Sequence, residues 1–153
     1  MIYPPVSEIE PLLYLGSLQG AKDKELLESI GIQCIVQVLD EIHLDSLYET
    51  MDYLFIPLAD WTSSNIVMHL PNALKFIHQN ISQDKKVFIH CAAGVSRSVS
   101  IVCAYLMAKY HISYDRALKE VRNRRWCALP NPGFARQLRN ISLDALISYI
   151  DNP

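Results

Sequence analysis

A cysteine and an arginine with five residues between them stand in the run His90-Cys91-Ala92-Ala93-Gly94-Val95-Ser96-Arg97-Ser98. That spacing suits chemistry on a phosphate group. The apolar residues Val87, Phe88 and Ile89 precede the run, and a largely apolar stretch, residues 98–110, follows it. The cysteine therefore falls at the end of a buried strand. A glycine-containing loop curls past it, and the arginine returns at the start of a helix. Unpaired N–H groups at a helix N-terminus, backed by the helix dipole, bind phosphate-like anions. The same field stabilises a thiolate, which makes Cys91 the candidate nucleophile. Arg97 supplies a planar fork of donors that can hold two phosphate oxygens together. Gly94 gives the loop a position free to take unusual dihedrals or to lie close to a ligand. Ser98 places a hydroxyl near the sulfur, where it can help the thiolate leave an intermediate. Ala92, Ala93, Gly94, Val95, Ser96 and Arg97 make up the phosphate-binding loop.

This run resembles the signature of the dual-specificity branch of the protein tyrosine phosphatases. The likeness extends over roughly residues 4–148. Leu13-Tyr14-Leu15-Gly16-Ser17 is similar to that family's opening strand, and Ile56-Pro57-Leu58-Ala59-Asp60 to its general-acid loop. Ala104-Tyr105-Leu106-Met107 is similar to the helix after the signature, and Pro130-Asn131-Pro132-Gly133-Phe134 to the start of the last long helix. The resemblance implies hydrolysis of phosphotyrosine and phosphoserine/phosphothreonine in proteins through a cysteinyl-phosphate intermediate, with no cofactor and no metal. It leaves no room for the kinase-docking N-terminal domain of some members. The expectation is one catalytic domain over residues 1–153.

Three further residues enter through the same resemblance. The family uses an upstream aspartate to protonate the leaving oxygen and later to deprotonate water. Asp60 fits, because it follows a strand on a mobile-looking loop, residues 58–64. A turn or cap role is its plain alternative, and Asp40 and Asp52 are weaker candidates for the acid. Arg125, by its position after Val121, resembles an arginine that contacts a second anion. Asn131 either holds the signature loop, positions water or caps a helix. His90 adjoins Cys91, yet neighbouring strand residues point to opposite faces. It therefore supports the loop from behind rather than forming a protease-like dyad.

The elements that must position these groups alternate along the chain. Strands are expected over residues 12–15, 34–39, 53–56 and 87–90, and helices over 22–30, 98–110 and from Ser113 to about Arg122. Leu70, Ala73, Leu74, Ile77 and Ile81 recur at helical spacing. A last helix opens at Pro132 with Phe134, Leu138, Ile141 and Ala145 inward. The pattern predicts an α/β fold: a mostly parallel central sheet flanked by helices on both faces. The signature loop lies between a central strand and a buried helix, where ligands of such sheets bind.

Composition narrows the rest. Half of the 153 residues are apolar and the net charge is −2, which suits one globular domain. No signal peptide, membrane span or lipidation motif is legible. Cys34, Cys91, Cys103 and Cys127 show no metal-ligand spacing, and a reactive unpaired cysteine argues for a reducing compartment. The expectation is a cytoplasmic protein, with the nucleus also open to it. Its partners are phosphorylated proteins, with no nucleic acid and no membrane anchor, and its oligomeric state is not legible. Bases gather at residues 116–139: Arg116, Lys119, Arg122, Arg124, Arg125, Arg136 and Arg139. They form either solvated helix faces or a positive rim that attracts acidic substrates. The loop lacks a lysine that could bind extra phosphates on an inositol ring. Two rivals remain: a binding module without turnover, and a different enzyme of the same Cys-x5-Arg type.

Overall fold

The computed structural model describes residues 2–151. β1 (Val6–Glu10) pairs antiparallel with β2 (Leu13–Gly16). β2 runs parallel to β5 (Lys86–His90), β5 to β3 (Ile32–Leu39), and β3 to β4 (Asp52–Pro57). The order β1-β2-β5-β3-β4 puts β5 in the middle of the sheet. All four parallel strands end at one edge, and the loops that leave that edge build the site.

Alternating side chains sort the two faces. Leu13, Leu15, Val36, Val38, Val87 and Ile89 belong to the larger core, with α3 (Leu70–Ile81), α4 (Arg97–Tyr110), α6 (Pro132–Asn140) and α7 (Leu143–Asp151). Tyr14, Ile35 and Phe88 belong to a smaller one, with Ala21 of α1 (Leu18–Lys22) and Leu27 of α2 (Lys24–Ile30). The mostly parallel sheet covered on both faces is the one the alternation predicts.

α4 is buried from Arg97 to Ala108. Its β-branched Val99, Ile101 and Val102 are mediocre helix formers, so packing holds it. Each fully buried aliphatic side chain stabilises the fold by about 1.5–3 kcal/mol relative to exposure. α4 ends at His111, whose φ of 55° is left-handed. α5 (Tyr114–Arg124) then starts under the Ser113 hydroxyl, which accepts from the Arg116 N–H at 3.2 Å.

Three expectations change. The helix predicted over residues 22–30 begins at Lys24, because Asp23 ends a separate, unpredicted α1 and caps α2 by accepting from the Leu26 N–H at 3.0 Å. The helix predicted from Pro132 onward breaks where Ile141 turns extended (ψ 145°). The Ser142 hydroxyl then accepts from the Ala145 N–H, and Leu146 rather than Ala145 is the buried residue of α7. β1 has no counterpart in the predicted strands, since two residues separate its apolar positions Val6 and Ile9.

Candidate active site

Cys91 follows β5 directly and is 2% exposed. Its Sγ lies 3.0 Å from Oγ of Ser98, the second residue of α4. His90 points to the other face of the sheet. Its ring stacks on Phe88 at 5.5 Å, and its Nδ1 lies 3.2 Å from the Cys91 carbonyl oxygen. A carbonyl only accepts, so Nδ1 carries the proton. Nε2 is then a buried acceptor without a partner. Burial pushes the His90 pKa down to about 4.

The loop between Cys91 and α4 turns its carbonyls outward. The Ala92 carbonyl accepts from the Leu18 N–H (3.0 Å), Val95 from the Leu129 N–H (2.8 Å), and Ser96 from the Ser100 N–H (2.9 Å). Gly94 and Ala93 accept from Nε and Nη2 of Arg125, at 2.8 and 3.3 Å. Five successive carbonyls are thus satisfied from outside the loop. Among the described residues, no backbone N–H of residues 92–97 finds a protein acceptor. Those N–H groups are left free to meet a ligand. Gly94 makes this turn possible: its φ is +69°, and a Cβ there would stand 2.5 Å from the Gly16 carbonyl oxygen.

Arg97 is the first residue of α4. Its Nη1 donates to Oδ1 of Asp40, just past β3, and to the carbonyl of Leu58 at 2.9 Å, just past β4. Both N–H bonds of Nη1 are spent, so the guanidinium is fixed by one corner. The edge formed by Nε and Nη2 has no protein acceptor among the described residues. Asp40 entered the sequence reading as a weaker candidate for the acid. The structure gives it this ionic contact instead.

Asp60 is exposed on the loop after β4. Nδ2 of Asn131 donates to its Oδ1 at 2.9 Å. Asn131 also caps α6, its Oδ1 accepting from the Phe134 N–H at 2.9 Å, and its backbone N–H donates to Oγ of Ser96 at 2.8 Å. One asparagine thus joins the aspartate, the signature loop and a helix start. The loop that carries Asp60 also meets α6. Gln137 of α6 accepts from the Ile66 N–H at 3.0 Å and donates to the Ser64 carbonyl at 2.8 Å. Gly133 packs so close that a Cβ would stand 1.9 Å from the Thr62 carbonyl oxygen. Residues 60–66 are held along the flank of α6.

Arg125 corrects the sequence reading. It does not reach solvent: its side chain is fully buried. Besides the two loop carbonyls, its Nη1 donates to the Pro4 carbonyl (2.7 Å) and to Ser7 Oγ (3.0 Å). Burial lowers its pKa from the usual arginine value. A guanidinium with these acceptors holds the loop's outer wall and is not placed to meet a second anion. Nor do all the remaining bases stand free, since Arg139 pairs with Asp115 at 2.8 Å. Burial also pushes up the thiols of Cys34, to about 11, and Cys103. Among the described residues no cluster of His, Cys, Asp or Glu could hold a metal ion, and no helix is long and apolar enough to cross a membrane.

The Asp40–Arg97 contact, Gln137 and the outward carbonyls escaped the sequence reading. They come from segments distant in sequence, and only Gly133, inside Pro-Gly, left a local signal.

The sequence matches the family model described as "Dual specificity phosphatase, catalytic domain" over residues 13–143. It is 39% identical over 144 residues to dual specificity protein phosphatase 22 of Mus musculus, covering 94% of this chain and 77% of the relative. It is 36% identical over 135 residues to dual specificity protein phosphatase 1B of Arabidopsis thaliana, covering 88% and 80%. The crystal structure of DUSP15 superimposes with a TM-score of 0.89 at 31% identity, covering 95% of this chain and 94% of that one. The human tyrosine phosphatase-like serine/threonine/tyrosine-interacting protein superimposes at 0.84 with 31% identity, covering 94% and 97%.

Proposed function

The chain belongs to the dual specificity phosphatase family, and from that premise we propose how its site performs the family's reaction. The protein is a protein phosphatase acting on phosphotyrosine and phosphoserine/phosphothreonine. The observation that carries the residue assignment is the ring of outward carbonyls over residues 92–96. It leaves the loop's N–H groups without protein acceptors, which supports reading them as the anion site between Cys91 and Arg97.

In this reading a phosphate dianion sits on the amides of residues 92–97. Nε and Nη2 of Arg97 hold two of its oxygens. Cys91 Sγ attacks phosphorus in line with the ester oxygen, the P–O ester bond breaks, and Asp60 gives its proton to the departing oxygen. Asn131 takes up Oδ1 of Asp60 and leaves Oδ2 to carry that proton. Water then attacks the cysteinyl phosphate, with Asp60 as its base. The Ser98 hydroxyl donates to the sulfur as the S–P bond breaks, and inorganic phosphate leaves. His90 holds the Cys91 carbonyl from behind. An unpaired cysteine nucleophile suits a reducing compartment, the cytoplasm or the nucleus.

Cys91→Ser tests the assignment. Turnover of a small aryl phosphate should vanish while vanadate still binds. Activity near wild type would overturn it. The same measurement on the unmodified protein separates a phosphatase from a module that binds phosphoproteins without turnover.

A further inference from the structure

The loops around Cys91 expose more apolar surface than a soluble protein needs there. Leu44 is 66% exposed, Trp61 67%, Leu129 60% and Trp126 50%. Single exposed apolar residues are ordinary, but a group of them gathered in one place marks a contact surface.

Contacts already described tie the segments of three of them, Leu44, Trp61 and Leu129, to the mouth. Leu44 lies on the segment after β3, which reaches the site through the Asp40–Arg97 pair. Trp61 follows Asp60, which Asn131 ties toward the signature loop. Leu129 donates its N–H to Val95 inside that loop, whereas Trp126 packs edge-on against Tyr3 and is not part of the rim. Ala92 and Ala93 add two small exposed side chains to the lip.

Charge at the mouth is negative. Of the loops leaving this edge, residues 40–49 hold Asp40, Glu41, Asp45 and Glu49, residues 58–66 hold Asp60, and neither stretch holds a lysine or arginine. Of the basic run, Arg125 is buried and Arg139 is paired with Asp115. Arg116 and Arg124 line a separate groove with Glu10 and Glu120.

We propose that this apolar rim is a substrate-selecting surface that takes up apolar side chains flanking the phosphorylated residue of a protein substrate and disfavours acidic ones. The inference rests on the phosphatase reading and adds the substrate class. The occupant is fixed by position, because whatever places a phosphate on Cys91 must lay its neighbouring residues across these loops. Apolar flanks would cover the exposed rings and leucines. Acidic flanks would face the carboxylates of the 40–49 loop and of Asp60.

The test uses three matched phosphotyrosine peptides whose flanking residues are leucine, serine or glutamate, and reads kcat/KM ratios within each protein. The wild type should favour leucine over serine by roughly tenfold, the scale of one well-placed apolar contact, and rank glutamate last. Leu44→Ser, Trp61→Ser and Leu129→Ser should each shrink the leucine-to-serine ratio severalfold. A ratio is insensitive to general loss of activity, so a variant with a disturbed acid loop still informs. Equal turnover of the three peptides, a preference for glutamate, or ratios unchanged in all three variants would overturn the proposal. So would indifference to the flanks together with rim-dependent binding to neutral phospholipid vesicles, which would make the rim a membrane surface. Absence of turnover on both the peptides and a small aryl phosphate would instead defeat the phosphatase reading beneath it.

Discussion

Asn131 holds Asp60: its side-chain amide donates to Oδ1 of the aspartate at 2.9 Å while its backbone N–H is anchored on Ser96 of the signature loop. The acid and the nucleophile's loop therefore share one strut.

That strut predicts two graded losses. Acid assistance contributes ~10²–10⁴-fold, and its value depends on the leaving group. Asp60→Asn should cripple phosphotyrosine hydrolysis while sparing much of the turnover of an activated aryl ester, and should erase the fall of kcat/KM at higher pH. Asn131→Ala should lose less, with the same leaving-group bias, because the aspartate stays but is no longer aimed. Equal losses on both substrates with an unchanged pH profile would make Asp60 structural.

Ser98 touches the sulfur at 3.0 Å, so its hydroxyl acts when the thiolate is expelled from the intermediate. Ser98→Ala should leave the first step largely intact and slow the second by roughly tenfold or more, giving a burst of phenol before a slow steady state. Rapid-mixing kinetics with no burst would place the hydroxyl elsewhere in the reaction.

Arg125 gives a sharper contrast between two roles. Arg125→Met removes the donor to Ala93, Gly94 and Pro4, and an orphaned buried acceptor costs about 1–3 kcal/mol. Tm should fall by on the order of 5 °C or more, and turnover of even a monophosphate should drop. Unchanged Tm with a defect confined to doubly phosphorylated substrates would restore the anion-binding role.

His90 sets a pH dependence of stability. Its pKa is pushed down to about 4 in the fold, against about 6.5 in an unfolded chain. Between those values the unfolded chain binds a proton that the folded one refuses. Stability is therefore whole above about pH 6.5 and falls as the pH drops toward 4, by up to about 1.4 kcal/mol per pH unit. Denaturant titrations at pH 7 and pH 5 should show a larger loss for the wild type than for His90→Asn. Equal losses would mean that the imidazole titrates freely in the fold.

The parts of the site that read well from sequence are those built by one short stretch. Cys91, Gly94, Arg97 and Ser98 lie on a strand end, a turn and a first helical turn, so local rules place them. Asp40 on Arg97 spans 57 positions and Gln137 on Ser64 spans 73, and no local rule joins them. Arg125 misled for a related reason. Arginine is a surface residue by default, and only the folded loop reveals carbonyls to receive it. β1 hid because an edge strand needs little apolar patterning.

Arg125 also reaches Pro4 across 121 positions, and this dates the site within synthesis of the chain. The wall of the phosphate loop closes only when residues near the start, the loop itself and the end of α5 coexist. A ribosome that has made the sheet and even the signature has not yet made a working cradle. Contacts of such long sequence separation form late and slowly. The nucleophile thus spends its early life in an unfinished loop, and a nascent chain acquires the means to remove phosphate only after the end of α5 has emerged.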